Sequence, residues 1–135
     1  MSEATKPRRE FRNLGPADLF YYRLPLAGWN SILHRISGAF IFLLLPLFIW
    51  LFDKSVTSQI SFEQFSAVVS GGFVKLVIWA LFTAYFLHFF GGIRHLYLDV
   101  THQMTKPVGR QSALAVFIAT AVVSVIFGAK LVGLY

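Results

Sequence analysis

Cysteine is absent from the 135 residues of this chain. Its absence excludes disulfides, thiolate metal ligands and iron–sulfur ligation by this chain. Charge is scarce as well: 13% of the residues are charged, where a soluble domain carries about 25%. That scarcity argues against an ordinary soluble domain. With 56% hydrophobic residues and a mean hydropathy of +0.65, the sequence points to a membrane protein. Acidic side chains are the rarer sign, 6 against 12 Lys and Arg, for a net charge of +6. In a soluble chain that balance would suggest nucleic acid. In a membrane protein it marks cytoplasmic loops enriched in Lys and Arg, and no nucleic-acid partner is expected. A signal peptide is not expected either, because the first apolar run starts late and lacks a small-residue cleavage pattern.

What is present is three apolar runs. Residues 36–52, 76–93 and 112–129 contain no Asp, Glu, Lys or Arg. Roughly 18 residues at 1.5 Å each cover about 27 Å as a helix, close to one hydrocarbon core. The expected fold is all-α, a membrane bundle of three transmembrane helices spanning about 31–52, 65–95 and 112–134. Pro46 should kink the first span, and Lys75 should mark the outer interface of the second. Residues 53–64 and 100–111 are expected as polar connections. Residues 1–13, with Lys6, Pro7, Arg8, Arg9 and Arg12, are expected as an extended or disordered tail. Residues 14–30 are broken by Pro16, Pro25 and Gly28 and rich in Phe20, Tyr21, Tyr22 and Trp29, which suits the headgroup region. The organisation is thus a tail and interfacial segment over 1–30 and a three-helix membrane domain over 31–135.

With three spans, the tail and the 100–111 connection lie on one side. That side holds Lys6, Arg8, Arg9, Arg12, Arg23, Arg94, Lys106 and Arg110, with Arg35 just inside; the other has Lys54, Lys75 and Lys130. The excess of positive charge places the N-terminus in the cytoplasm and the C-terminus outside.

The second run carries the chemistry. His88 lies inside it, and Gly91, Gly92 and His95 follow at i+3, i+4 and i+7, so all four share one helix face. The glycines remove bulk where something flat and wide could approach the backbone. A membrane histidine, a hollow beside it and a basic end suit a haem, with the imidazole on the iron, the macrocycle over the glycines and the propionates toward surface cations. Small residues and a hydrogen-bonding histidine also describe ordinary close helix packing in membranes, and on the residues alone both readings stand. Ionisable groups inside a span are costly and usually functional. In the first span, Ser31 and Arg35 are one turn apart. Arg35 is read either as snorkelling to lipid phosphate or, with Ser31 and His34, as a donor cluster for a polar headgroup. Of the four histidines, His34, His88, His95 and His102, only His88 is deep in a span. A six-coordinate haem would therefore need its second axial group from another chain, or from a histidine here that is badly placed for it. His102 is expected to be a solvated loop histidine.

Two motifs combine at this point. Ser31-Ile32-Leu33-His34-Arg35-Ile36-Ser37-Gly38 and His88-Phe89-Phe90-Gly91-Gly92-Ile93-Arg94-His95-Leu96-Tyr97-Leu98-Asp99 resemble the two signatures of the cytochrome b membrane-anchor subunit of succinate dehydrogenase. Arg23-Leu24-Pro25 resembles the segment before the first signature. The likeness covers about residues 20–111. It implies three transmembrane helices paired with a second three-helix anchor, one haem b shared between them, and docking of an iron–sulfur subunit that is itself bound to a flavoprotein. By the same resemblance, His88 is the axial haem ligand. Ser31 and Arg35 are ubiquinone-site residues. His34 and Arg35 lie near the haem propionates. Gly91, Gly92, Arg94 and His95 belong to the cofactor-binding motif, which closes at Asp99. The implied location is the bacterial inner membrane, or the mitochondrial inner membrane for a processed chain.

The leading expectation is an electron-transfer subunit passing electrons from succinate to ubiquinone. A close variant is the anchor of a fumarate reductase using menaquinone. A different class is a cofactor-free structural membrane protein in which His88 only bridges helices. A transporter is disfavoured, because three spans provide no inverted repeat and the ionisable residues gather at one end.

Overall fold

The computed structural model describes Gly15, Ala17 and residues 21–134. The tail over 1–13, Pro16 and Phe20 fall outside the described residues. Those described form four helices and no strands: α1 (Leu26–Val56), α2 (Gln59–Val69), α3 (Gly72–Thr101) and α4 (Lys106–Leu131). Helices α1, α3 and α4 are each long and apolar enough to cross a membrane. The architecture is the expected all-α membrane bundle.

The helices outrun the apolar stretches that announced them. The first begins at Leu26, with Pro25 as its N-cap (φ −66°, ψ 159°). The Gly28 and Trp29 amides bond back to the Pro25 carbonyl at 2.9 and 3.2 Å, so the interfacial residues 26–30 are helical. The chain stays helical through Pro46. The third apolar helix starts at Lys106 with Pro107 in its first turn, where a missing N–H costs nothing and a fixed φ helps. The polar connection expected over 100–111 therefore shrinks to residues 102–105. A charge-free run measures depth in hydrocarbon, not helix length, so a helix can run on past its ends.

The polar loop expected over 53–64 is corrected more strongly. Helix α1 runs to Val56, and α2 starts two residues after the Thr57 cap. A reciprocal capping box causes this early restart: Ser61 N donates to Ser58 Oγ at 3.1 Å, and Ser58 N donates to Ser61 Oγ at 3.0 Å. The usual signature carries Glu or Gln at the third helical position. Serine there kept the box out of sight. The helix expected over 65–95 is interrupted at Ser70–Gly71, so residues 65–69 belong to α2, which packs mainly on α1.

Helix α3 is the centre of the bundle, packed most extensively on α4 and then on α1. The interior is small and polar: the buried residues are Asn30, Ser37, Gly91, Arg94, Leu98, Ala113, Val116, Thr120 and Ser124. The large apolar side chains face outward, as at Phe42 (73% exposed) and Leu43 (71%). Lipid is as apolar as leucine, so helices in a bilayer adhere through close packing and interhelical hydrogen bonds. Trp79 Nε1 accordingly donates to the Ser124 carbonyl at 2.9 Å, and Thr83 Oγ1 lies 2.6 Å from Ser124 Oγ, which locks α3 to α4.

Candidate functional site

The site is the crossing of the early part of α1 with the late part of α3. Four-residue spacing on α1 places Asn30, His34, Ser37 and Gly38 toward α3, while Arg35 is exposed beside them. On α3 the same periodicity brings His88, Gly91, Gly92 and His95 to the crossing. The rings of His34 and His88 stack with centroids 4.2 Å apart and planes 6° from parallel. His95 tilts against His34, with centroids 5.1 Å apart. Three of the four histidines are thereby gathered.

Glycine makes this possible on both helices. A Cβ on Gly91 would lie 2.8 Å from His34 Cδ2, and one on Gly38 would lie 2.7 Å from His88 Cε1. Each imidazole occupies the volume that a side chain on the facing helix would fill. The face of Gly91 offered by the sequence to a macrocycle is therefore taken by His34. Gly92 is looser, with a Cβ there 3.6 Å from His34 Nε2.

The His88 ring is tied at one nitrogen. Its Nδ1 lies 2.9 Å from the His34 carbonyl oxygen and 3.5 Å from Ser37 Oγ, and Ser37 Oγ donates to the same carbonyl at 2.9 Å. A carbonyl only accepts, so the proton of the neutral ring sits on Nδ1 and the lone pair on Nε2. Metal-ligating histidines are oriented in this way, with the second nitrogen donating to a carbonyl. Among the described residues no three His, Asp or Glu side chains gather into a metal cage. A haem iron takes most of its ligands from the porphyrin, so a single imidazole with its Nε2 lone pair available would serve as one protein ligand. On that chemistry the residues fit a haem.

Ser31 and Arg35 pair as their spacing implies. Arg35 Nε donates to the Ser31 carbonyl at 3.2 Å, and a terminal guanidinium nitrogen donates to Ser31 Oγ at 3.4 Å. Arg94, also among the residues expected to bind the cofactor, is held by other parts of the protein. It is 8% exposed, and its three partners lie on the other two long helices: Ser112 Oγ at 3.0 Å, Asn30 Oδ1 at 3.5 Å and the Gly109 carbonyl at 3.4 Å. His102 caps α3 in the left-handed conformation (φ 53°) and is exposed.

Sequence reasoning did not single out Asn30, Ser37 and Gly38 as parts of this crossing, nor Gly109 and Ser112 beside it on α4. A signal for Gly38 existed: His34 and Gly38 repeat the spacing of His88 and Gly92. Nothing local pointed to Asn30, Gly109 or Ser112, whose roles arise only from where Arg94 reaches.

The fold and site define a class: a multi-pass, all-α membrane subunit with a histidine pair held at a helix crossing near one end of the bundle. The sequence model described as "Succinate dehydrogenase/Fumarate reductase transmembrane subunit" matches residues 8–127, and the chain belongs to that family. Among similar proteins, the "Succinate dehydrogenase cytochrome b556 subunit" of Coxiella burnetii (strain RSA 493 / Nine Mile phase I) is 36% identical over 112 residues, covering 82% of this chain and 90% of the relative. The protein of that name from Paracoccus denitrificans is 33% identical over 119 residues, covering 85% and 88%. That from Rickettsia felis (strain ATCC VR-1525 / URRWXCal2) is 31% identical over 98 residues, covering 71% and 76%.

Proposed function

We propose that this chain is the cytochrome b anchor of a succinate dehydrogenase, holding one haem b jointly with a second anchor subunit and presenting a ubiquinone site at Ser31 and Arg35. The observation that carries the reading is the bond from His88 Nδ1 to the His34 carbonyl, which leaves the Nε2 lone pair available to a metal. Haem b, when bound, supplies a one-electron iron centre. His88 orients through α1, so its ring direction depends on the α1–α3 crossing. His34, His95 and Arg35 supply donors for carboxylates at the same end, and Gly92 leaves space beside them. Gly91 contributes by admitting His34.

Arg35 and Ser31 serve the quinone. The Ser31 oxygen accepts from Arg35, so the hydroxyl proton is free to donate to a quinone oxygen. Developing negative charge on that oxygen favours a nearby guanidinium more in the reduced form than in the ground state, which is the condition for catalysis. An iron–sulfur subunit carrying a flavoprotein would dock at the cytoplasmic end and deliver electrons from succinate. Positive-inside charge bias supports a cytoplasmic N-terminus, and membership of the family supports a bacterial inner membrane, or the mitochondrial inner membrane for a processed chain. Running as a fumarate reductase with menaquinone would use the same residues.

The close fit of His34 on Gly91 and His88 on Gly38 favours a second reading, a structural subunit whose histidines only bridge helices. The visible spectrum of the purified complex separates the two. The first reading expects b-type Soret and α bands that are lost or weakened in His88→Ala while the subunit stays inserted. Bands unchanged by that substitution would refute His88 as the ligand, and bands absent from the wild-type complex would favour the structural reading.

A further inference from the structure

We propose that Arg94 is a positioning residue for the ligand end of α1, setting the rotation of that helix and so the direction in which His34, Ser31 and Arg35 point. The proposal rests on the functional reading above for its quinone readout. Its structural part stands on geometry alone.

The argument begins with how little holds α1 in place. Its buried residues are Asn30 and Ser37. These flank His34, four residues before it and three after. Ser37 is engaged at the His34 carbonyl and near His88 Nδ1. Asn30 is fully buried (0% exposed), and its Oδ1 accepts from Arg94 at 3.5 Å. Its Nδ2 has no partner among the described residues. The guanidinium has no acceptor, so only the oxygen of Asn30 can face it, and this bond defines which way the amide points. The outer face of α1 is apolar and meets lipid, which does not discriminate among rotations of the helix. Polar contacts to α3 must do so, and Arg94 supplies the one nearest Ser31.

Arg94 suits that role because it is itself anchored away from the ligand residues. Nε donates to Ser112 Oγ and one terminal nitrogen to the Gly109 carbonyl, both on α4. The planar fork therefore joins three helices through neutral oxygens, and α4 acts as the fixed frame. Lysine keeps the charge but cannot reach three oxygens in one plane. Arg94 touches neither the His34–His88 stack nor the Ser31–Arg35 pair in these contacts, so it acts through Asn30.

The test uses the assembled membrane complex carrying Arg94→Lys, Asn30→Ala or both. The first readout is amide hydrogen exchange in peptides spanning the start of α1. We expect faster exchange there in each variant. The second is the KM for ubiquinone, with turnover normalised to succinate oxidation by an artificial acceptor, which reports assembled complex. A rise in KM of roughly three- to tenfold is expected from loss of about one hydrogen bond. The double variant should be no worse than the more severe single variant, because both break the same tie. Wild-type exchange and wild-type KM in Arg94→Lys would overturn the proposal, as would fully additive effects in the double variant. If Arg94→Lys does not accumulate, Asn30→Ala decides by the same two readouts, since it leaves Arg94 bound to α4. If the wild-type complex reduces no quinone, the functional reading fails, and the exchange measurement still decides the role of Arg94.

Discussion

The imidazoles of His34 and His88 lie face to face, 4.2 Å apart and 6° from parallel, each seated on a glycine of the other's helix. The arrangement couples the two helices: moving either ring disturbs the backbone contact that holds its neighbour. It also gives His88 a fixed tautomer through the His34 carbonyl. Four experiments follow from this geometry and from the pattern of charges around it.

Gly38→Ala should disturb the His88 ring without touching its chemistry. The added Cβ would lie 2.7 Å from Cε1 and 3.1 Å from Nδ1, so the ring must leave the His34 carbonyl. Overpacking of this kind costs about 1–3 kcal/mol. We expect a lower melting temperature and a shifted haem midpoint potential. Gly72→Ala is the control, since a Cβ there meets nothing within 4 Å. If the two variants melt and titrate alike, the ring is not held as described.

Arg35→Ala should strongly reduce succinate–ubiquinone turnover while sparing electron transfer to an artificial acceptor upstream. Loss of a charged donor from such a site costs about 2–4 kcal/mol, or roughly 30- to 1000-fold in rate. Arg35→Lys should rescue in part only, and Ser31→Ala should cost less, about 1 kcal/mol. The measurement is the ratio of the two turnovers in assembled complex. A wild-type ratio in Arg35→Ala would make the arginine a lipid-facing snorkel.

His102→Ala should leave haem content and quinone reduction at the wild-type level, because the residue is exposed at the end of α3, away from the crossing. His102→Gly should do the same and raise stability by about 1 kcal/mol, since φ is 53° and glycine accepts the left-handed region without a Cβ penalty. Loss of the haem bands in either variant would place His102 in the site.

A reporter active only in the cytoplasm, fused after Tyr135, should be silent. Three spans and the concentration of Lys and Arg in the tail and the 100–111 segment put the C-terminus outside. An active fusion would invert the topology and move the quinone site to the other face of the membrane.

The sequence by itself determined what depends on neighbours along the chain. Three long apolar runs require three membrane helices, because the backbone must satisfy its hydrogen bonds internally in lipid. Helical periodicity alone places His88, Gly91, Gly92 and His95 on one face and Ser31 beside Arg35. Tertiary structure decided which faces meet. It seated His34 on Gly91 and His88 on Gly38, joined Arg94 to Asn30, Ser112 and Gly109, and broke the chain at Ser58 and Ser70–Gly71 into a separate α2. The reason is physical: the rotation and crossing depth of a membrane helix are set by a few small and polar contacts with other helices, and those contacts join residues far apart in sequence.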